Sequence, residues 1–183
     1  MSRRASAAST VAMSTQLLTH TTAGRWTVEA GNVTCGFTVS NLFVKTVHGR
    51  FGDVTATVRA DAAGGLEVDA CVAVESVDTG IAKRDRHLRS RDFFAAEDHP
   101  YLTFRSTGCE HGLDGMTLHG DLSIRGVARP VALAAELQYM PDGRMRFRAT
   151  GEIDRDEHGI GFGPRAMAGR RVGLDITGVA RPA

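Results

Sequence analysis

The sequence predicts an all-β protein, an antiparallel barrel or sandwich of about eight strands. Apolar residues recur at every second position from Trp26 onward, turn residues separate these runs, and helical periodicity is almost absent. Each run has one apolar face, and with so few helices to cover these faces the sheet must fold on itself. The chain has 183 residues and a net charge of +1, which fits one domain and excludes a strongly basic nucleic-acid-binding protein.

The predicted strands follow one another with the same alternation of apolar and polar residues. They occupy residues 26–28, 35–43, 54–60, 66–74, 101–106, 116–124, 131–139, 145–153 and 172–176. Turn residues separate several of them, at 63–65, 112–115, 126–130 and 141–143. Sequential strands joined by short turns favour an antiparallel arrangement.

One charged segment, residues 79–99, interrupts the alternation. Its apolar residues Ile81, Leu88 and Phe94 do not form a broad stripe, so we expect short helical turns around residues 80–98 rather than one long helix. Ser90 is expected to cap a second short turn, and Pro100 to close the segment.

Charged side chains of this segment are the first candidates for a chemical site. They are Arg84, Asp85, His87, Arg89 and Asp92. Asp85 could orient His87 for acid–base chemistry, or the cations could bind an anionic group. An ion-paired segment that seals the barrel fits the same residues, and the residues alone leave these alternatives open.

No motif indicates a metal or a cofactor, and we expect neither. The glycines of residues 158–164 do not form a dinucleotide fingerprint, because Pro164 follows them and no crossover helix is predicted. The histidines lack the spacing of a metal site. His48, His119 and His158 are expected at the surface.

The N-terminus and the cysteines bear on localisation. Residues 1–24 are predicted to be a flexible tail before a domain at 25–183, since polar residues interrupt the apolar core that a signal peptide needs. We therefore expect a cytoplasmic protein, with export as the alternative if the first 24 residues act as a signal. The three cysteines are expected to be free thiols, because their number is odd and their spacing wide: Cys35, Cys71 and Cys109.

Several stretches resemble the YceI family, a group of lipocalin-like barrels associated with the binding of polyisoprenoids and other amphiphiles. Residues 74–106 are similar to the family's signature at Ser76, Thr79, Gly80, Arg84, Asp85, His87, Leu88, Arg89, Asp92, Phe93, Phe94, Pro100 and Phe104. Shorter similarities lie at Phe37, Val39, 48–51, 122–133 and 152–163. The similarity spans roughly residues 25–181.

The resemblance implies a lipocalin-like barrel with a long apolar cavity, paired as a homodimer. It implies a non-catalytic carrier that transports an isoprenoid or fatty amphiphile and makes transient contact with a membrane. The charged segment would then hold a polar head group, through Arg84, Asp85, His87 and Arg89. Inward-facing apolar residues would hold the tail: Phe37, Val39, Phe51, Val72, Phe93, Phe94, Leu102, Phe104, Leu122, Ile124, Leu133 and Phe147.

Two other functions stay open at this point. One is an enzyme that acts on a hydrophobic substrate with Asp85 and His87 as its acid–base pair. The other is a structural or interaction module whose barrel is filled by its own side chains.

Overall fold

Alternating apolar residues form eleven strands in the part of the chain that the computed structural model describes, residues 22–40, 46–112, 115–160 and 169–183. The strands are β1 (Gly24–Val28), β2 (Val33–Val39), β3 (Val47–Phe51), β4 (Val54–Ala60), β5 (Leu66–Ala73), β6 (Val77–Asp78), β7 (Tyr101–His111), β8 (Met116–Ile124), β9 (Val127–Tyr139), β10 (Met145–Asp154) and β11 (Arg171–Pro182). One α-helix, α1 (Ala82–Arg89), and two 3-10 turns, Val74–Ser76 and Arg155–His158, complete the described elements.

Eight strands close into an antiparallel barrel. In the order β1-β4-β5-β7-β8-β9-β10-β11 each strand pairs with the next, and β1 also pairs with β11. β11 has two neighbours on one side, because its residues 172–178 pair with β2 and Arg181 and Pro182 pair with β1. β3 and β6 follow beyond β2 and extend the wall. The all-β barrel prediction is confirmed.

The strand predictions differ from the structure at strand ends and at two short strands. β9 begins at Val127, inside the turn predicted at 126–130, and β11 continues beyond the predicted residues 172–176 to Pro182. β3 was not predicted, because His48, Gly49 and Arg50 interrupt its apolar pattern, and β6 has only two residues. The helical turns are confirmed. Ser90 ends α1 and begins a second turn, in which its carbonyl accepts from the Phe93 N–H at 3.0 Å, but its hydroxyl donates to the His87 carbonyl at 2.7 Å instead of capping that turn. Residues 41–43 of one predicted strand, the glycines at 161 and 163, and most of the predicted tail lie outside the described residues.

The strand registers define two ends of the barrel. At the helix end, Ala73 pairs with Tyr101 and Asp154 pairs with Arg171, and α1 lies between β6 and β7 in the chain. At the tryptophan end, Ala60 pairs with Leu66, and β10 begins at Met145.

A group of tightly packed side chains fills the tryptophan end. Trp26, the only tryptophan of the chain, is 5% exposed and donates from Nε1 to the Gly143 carbonyl at 2.9 Å. Its ring lies 5.5 Å from that of Tyr139. Met145 and Ala180, paired across β10 and β11, are 1% and 0% exposed. This end of the barrel is therefore closed by its own side chains.

Candidate functional site

An apolar cavity of about 250 Å³ occupies the barrel between its two ends. The inward-facing residues of nearly every barrel strand form its wall. Among the described residues, the wall contains few polar side chains: Cys35, Thr103, Arg148 and Arg155. The cavity is larger than the ~150 Å³ engineered void that binds benzene, so the barrel has room for a small apolar molecule.

Phenylalanine rings lie flat against the wall because glycines face them. A Cβ atom added at any of three glycines would stand within 3.0 Å of such a ring. The pairs are Phe37 with Gly49, Phe104 with Gly120, and Phe147 with Gly178. Aromatic side chains commonly cover glycines on neighbouring strands in this way. The glycines thus let large rings line the cavity without filling it.

Small alanine side chains in the wall leave the middle of the barrel interior open. Ala135 pairs with Ala149 across β9 and β10, and Ala56 pairs with Ala70 across β4 and β5. All four line the cavity. Larger aliphatic side chains at these positions would occupy the space that now stays open.

Every apolar residue that the sequence predicted for the tail lies on the cavity wall. They are Phe37, Val39, Phe51, Val72, Phe93, Phe94, Leu102, Phe104, Leu122, Ile124, Leu133 and Phe147. Near the helix end, the ring of Phe51 lies 5.6 Å from that of Phe37 and 5.7 Å from that of Phe94. Their role in binding stays a prediction, since a wall position alone does not show a ligand contact.

The predicted charged residues lie outside the cavity wall. Asp85, 8% exposed, accepts hydrogen bonds at Oδ1 from the Thr79 backbone N–H and hydroxyl. Arg84 donates from Nε to Thr79 Oγ1 at 2.7 Å and from Nη2 to the Thr79 carbonyl at 2.8 Å. These bonds tie α1 to the residue that follows β6, which is a structural role that the segment performs without any ligand.

Arg89 and His87 make different contacts. Arg89 donates from Nη2 to the Val77 carbonyl at 3.0 Å, and its Nε lies 3.4 Å from a carboxylate oxygen of Glu75. His87 is exposed, and its ring meets the ring of Phe93 edge-on at 5.0 Å. Phe93 also lines the cavity, so His87 lies one side chain away from the interior.

Two buried polar residues near the helix end of the barrel were missed or misplaced by the sequence analysis. His158 is 2% exposed and its Nδ1 lies 3.1 Å from the Val127 carbonyl oxygen, so the expected surface position is wrong. The reason is the 3-10 turn, which ends at Gly159 with φ of 71° and folds His158 back against β9. Arg155 is 7% exposed and lines the cavity. The odd-numbered residues of β10 face inward, and Arg155 follows Ile153 at the next odd position. This alternation could have predicted that Arg155 faces the interior.

The cysteines are free thiols, as the sequence predicted, and all are half-buried. Cys35 faces the cavity. Burial raises the pKa of the Cys35 thiol to about 11, because the thiolate loses its hydration there. Cys35 is therefore protonated and poorly nucleophilic near neutral pH.

The described residues contain no group of three or more His, Cys, Asp or Glu side chains placed to hold a metal ion. No helix in the described ranges has the length and apolar character needed to cross a membrane.

Curated proteins from several bacteria are similar to this chain. An UPF0312 protein of Photorhabdus laumondii is 35% identical over 127 residues, covering 64% of this chain and 65% of that protein. Protein YceI of Escherichia coli is 34% identical over 131 residues, covering 68% and 69% of the two chains. The alignment thus spans slightly under two thirds of the first relative and slightly over two thirds of the second.

Solved structures share the barrel. A YceI protein of Campylobacter jejuni is 27% identical with a TM-score of 0.71, covering 79% of this chain and 90% of that one. BcnA of Burkholderia cenocepacia is 19% identical with a TM-score of 0.74, over 81% and 95% of the chains. A Saccharophagus degradans domain, described as polyisoprenoid binding and implicated in plant cell wall breakdown, is 15% identical with a TM-score of 0.68, over 88% and 100%. The last two likenesses concern the fold alone.

The family itself follows from the sequence. The profile of the YceI-like domain matches residues 26–180, which extend from β1 into β11. The chain therefore belongs to the YceI family.

Proposed function

We propose that this protein is a non-catalytic carrier of an isoprenoid or another long-chain amphiphile, whose tail lies in the barrel. The observation that carries this proposal is the apolar cavity of about 250 Å³, enclosed by side chains of the barrel strands. An apolar cavity of this kind stays dry and favours an apolar occupant. A domain of the same fold is described as polyisoprenoid binding, so this ligand class is the first to be tested here.

The cavity size sets how much of a ligand is enclosed. Benzene occupies a void of ~150 Å³, so a cavity of about 250 Å³ holds about ten carbons on the same scale. A longer tail leaves its remaining carbons outside this space, unless the rings on the wall move. Because the tryptophan end is closed by buried side chains, the helix end is the side on which the rest of the ligand lies.

The selectivity of such a carrier depends on the shape of the tail and on the head group. Burial of a CH₂ group is worth about 0.8 kcal/mol relative to water, but a membrane lipid is already in an apolar solvent. Transfer of its tail from a bilayer to the barrel therefore gains little from the hydrophobic effect. The fit of the tail to the wall, and the contacts of the head group, must discriminate between lipids.

The enzyme alternative is supported less well by the contacts of Asp85. Its carboxylate accepts two hydrogen bonds from Thr79, which accounts for a buried charge without catalysis. The filled-barrel alternative is supported less well because the interior contains an open cavity.

A homodimer, transient membrane contact and a cytoplasmic location are further proposals. Light scattering would test the homodimer, vesicle flotation the membrane contact, and cell fractionation the location.

Native mass spectrometry of the full chain, followed by organic extraction and lipid analysis, tests the carrier proposal. We expect a discrete additional mass that is released as an isoprenoid or fatty lipid. A decrease of that mass in a variant with a smaller cavity, such as Ala149→Leu, would locate the lipid in the barrel. A protein that carries no lipid and binds none of the added isoprenoid or fatty alcohols would contradict the proposal.

A further inference from the structure

The cavity has a defined floor toward the tryptophan end. On β8, Leu118 lines the cavity, whereas Met116, two residues closer to that end, is buried but does not line it. On β9, Leu137 lines the cavity and Tyr139 does not. The boundary follows the stagger of the tilted barrel strands, because Leu118 pairs with Leu133, four residues before Leu137.

Met145 lies at this boundary. It is the first residue of β10 and the last cavity-lining residue of that strand toward the tryptophan end. It pairs with Tyr139 on one side and with Ala180 on the other. Its side chain is 1% exposed, so it is packed against the floor while it also contacts the open space.

The residues behind Met145 leave no room for a longer ligand. Trp26, Met116 and Ala180 are 5%, 9% and 0% exposed, and none of them lines the cavity. Trp26 is fixed by its hydrogen bond to the Gly143 carbonyl and by its contact with Tyr139. A tail that enters the cavity must end at Met145, because native-like packing lies beyond it.

We propose that Met145 sets the length of tail that the barrel encloses, at about ten carbons, on the ratio of the cavity of about 250 Å³ to the ~150 Å³ void that holds benzene. This inference rests on the proposed function, because it concerns the same cavity. The ligand class that it specifies is an amphiphile of which a terminal segment of about ten carbons is enclosed. Carbons added beyond this length contribute nothing to the affinity.

The test is a series of straight-chain primary alcohols titrated into the full protein by calorimetry. Each added carbon up to the limit is expected to raise the affinity about fourfold, which is the equivalent of 0.8 kcal/mol per CH₂. The affinity is expected to level off at about ten carbons. An affinity that keeps rising by the same factor to about sixteen carbons would overturn the inference, since no floor would then limit the chain.

Met145→Ala tests the role of the residue itself. Removal of three heavy atoms is expected to move the limit by about three carbons, on the same scale of space per carbon. Met116→Ala is the matched control, because it removes the same side chain at the same end from a residue that does not line the cavity. A limit that stays in place in Met145→Ala, or moves equally in both variants, would overturn the inference.

Two further arms keep the test decisive. If Met145→Ala does not fold, Met145→Val removes one heavy atom instead of three, and a shift of about one carbon is then expected. If the wild-type protein binds none of the alcohols, the proposed function fails together with the inference. If the alcohols bind but show no limit, the inference alone fails.

Discussion

Filling the cavity is expected to separate stability from ligand binding. Ala149→Leu places a larger side chain on the cavity wall in the middle of β10, opposite Ala135. Ala134→Leu is the matched control, because Ala134 lies next to Ala135 on β9 and its side chain is exposed. The two variants add the same atoms to opposite faces of the same wall.

The expected magnitude follows from three added carbon atoms. At about 0.8 kcal/mol for each carbon that enters empty space, burial stabilises the fold by about 2.4 kcal/mol. Ordering of the leucine side chain costs about 0.5–1 kcal/mol, so the free energy of unfolding rises by about 1–2 kcal/mol. A ligand loses the space of the same three carbons, which weakens binding about fiftyfold.

Urea unfolding and ligand titration measure the two effects separately. The fluorescence of Trp26, the only tryptophan, reports unfolding, and displacement of an apolar dye by a fatty alcohol reports binding. Ala134→Leu should bind as the wild type does. If Ala149→Leu binds within about twofold of the wild type, a change of less than ~0.5 kcal/mol, or if both variants lose binding equally, the cavity is not where the ligand lies.

Three other variants test the structural roles assigned above. Asp85→Ala is expected to lower the free energy of unfolding by about 1–3 kcal/mol, because two donors lose their acceptor. Asp92→Ala, at an exposed position, should change it by less than ~0.5 kcal/mol. Equal effects of the two variants in urea unfolding would contradict the structural role of Asp85. Met145→Ala should cost about 2–5 kcal/mol, and calorimetry that shows no decrease in melting temperature would refute tight packing there. The pKa of Cys35 is raised to about 11, so as the pH rises the unfolded chain loses the thiol proton before the folded protein does. The free energy of unfolding should therefore fall by about 1.4 kcal/mol per pH unit between about pH 9 and 11. Cys35→Ala should show a shallower decrease, and an unchanged pH slope in this variant would count against the buried thiol.

Alternation in the sequence was sufficient to predict the inward face of each long strand. Phe104, Leu122 and Ile124 were assigned to the interior from their spacing alone, and they line the cavity. This works because side chains of a strand point alternately to the two faces of a sheet. The same alternation, continued past Ile153, would have placed Arg155 among the residues that line the cavity.

The open space could not be predicted from this pattern. Whether a ring fills the barrel or lies on its wall depends on which residue faces it from the next strand. Phe147 lies against Gly178 because β10 and β11 pair in one particular register, and that register joins residues that are distant in sequence. Spacing within a strand contains no information on such pairs.

Turns and short strands caused the remaining differences. His158 was placed at the surface because its neighbours are polar, but a 3-10 turn and Gly159 in the left-handed conformation fold it back against Val127 at the start of β9. The short β3 was missed because His48, Gly49 and Arg50 interrupt its apolar pattern, and its pairing with β2 places it in the sheet. Both are tertiary effects that override local pattern.

The central claim, that the barrel interior holds the tail of an amphiphile, is tested most directly by NMR of the protein with selectively labelled methyl groups. Addition of a fatty alcohol of about ten carbons is expected to give intermolecular NOEs to methyls of the wall, among them Leu122, Ile124 and Leu174. The exposed methyl of Ala134 should give none. NOEs confined to surface methyls such as Ala134 and Ile81, with the wall methyls unchanged at saturation, would contradict the account.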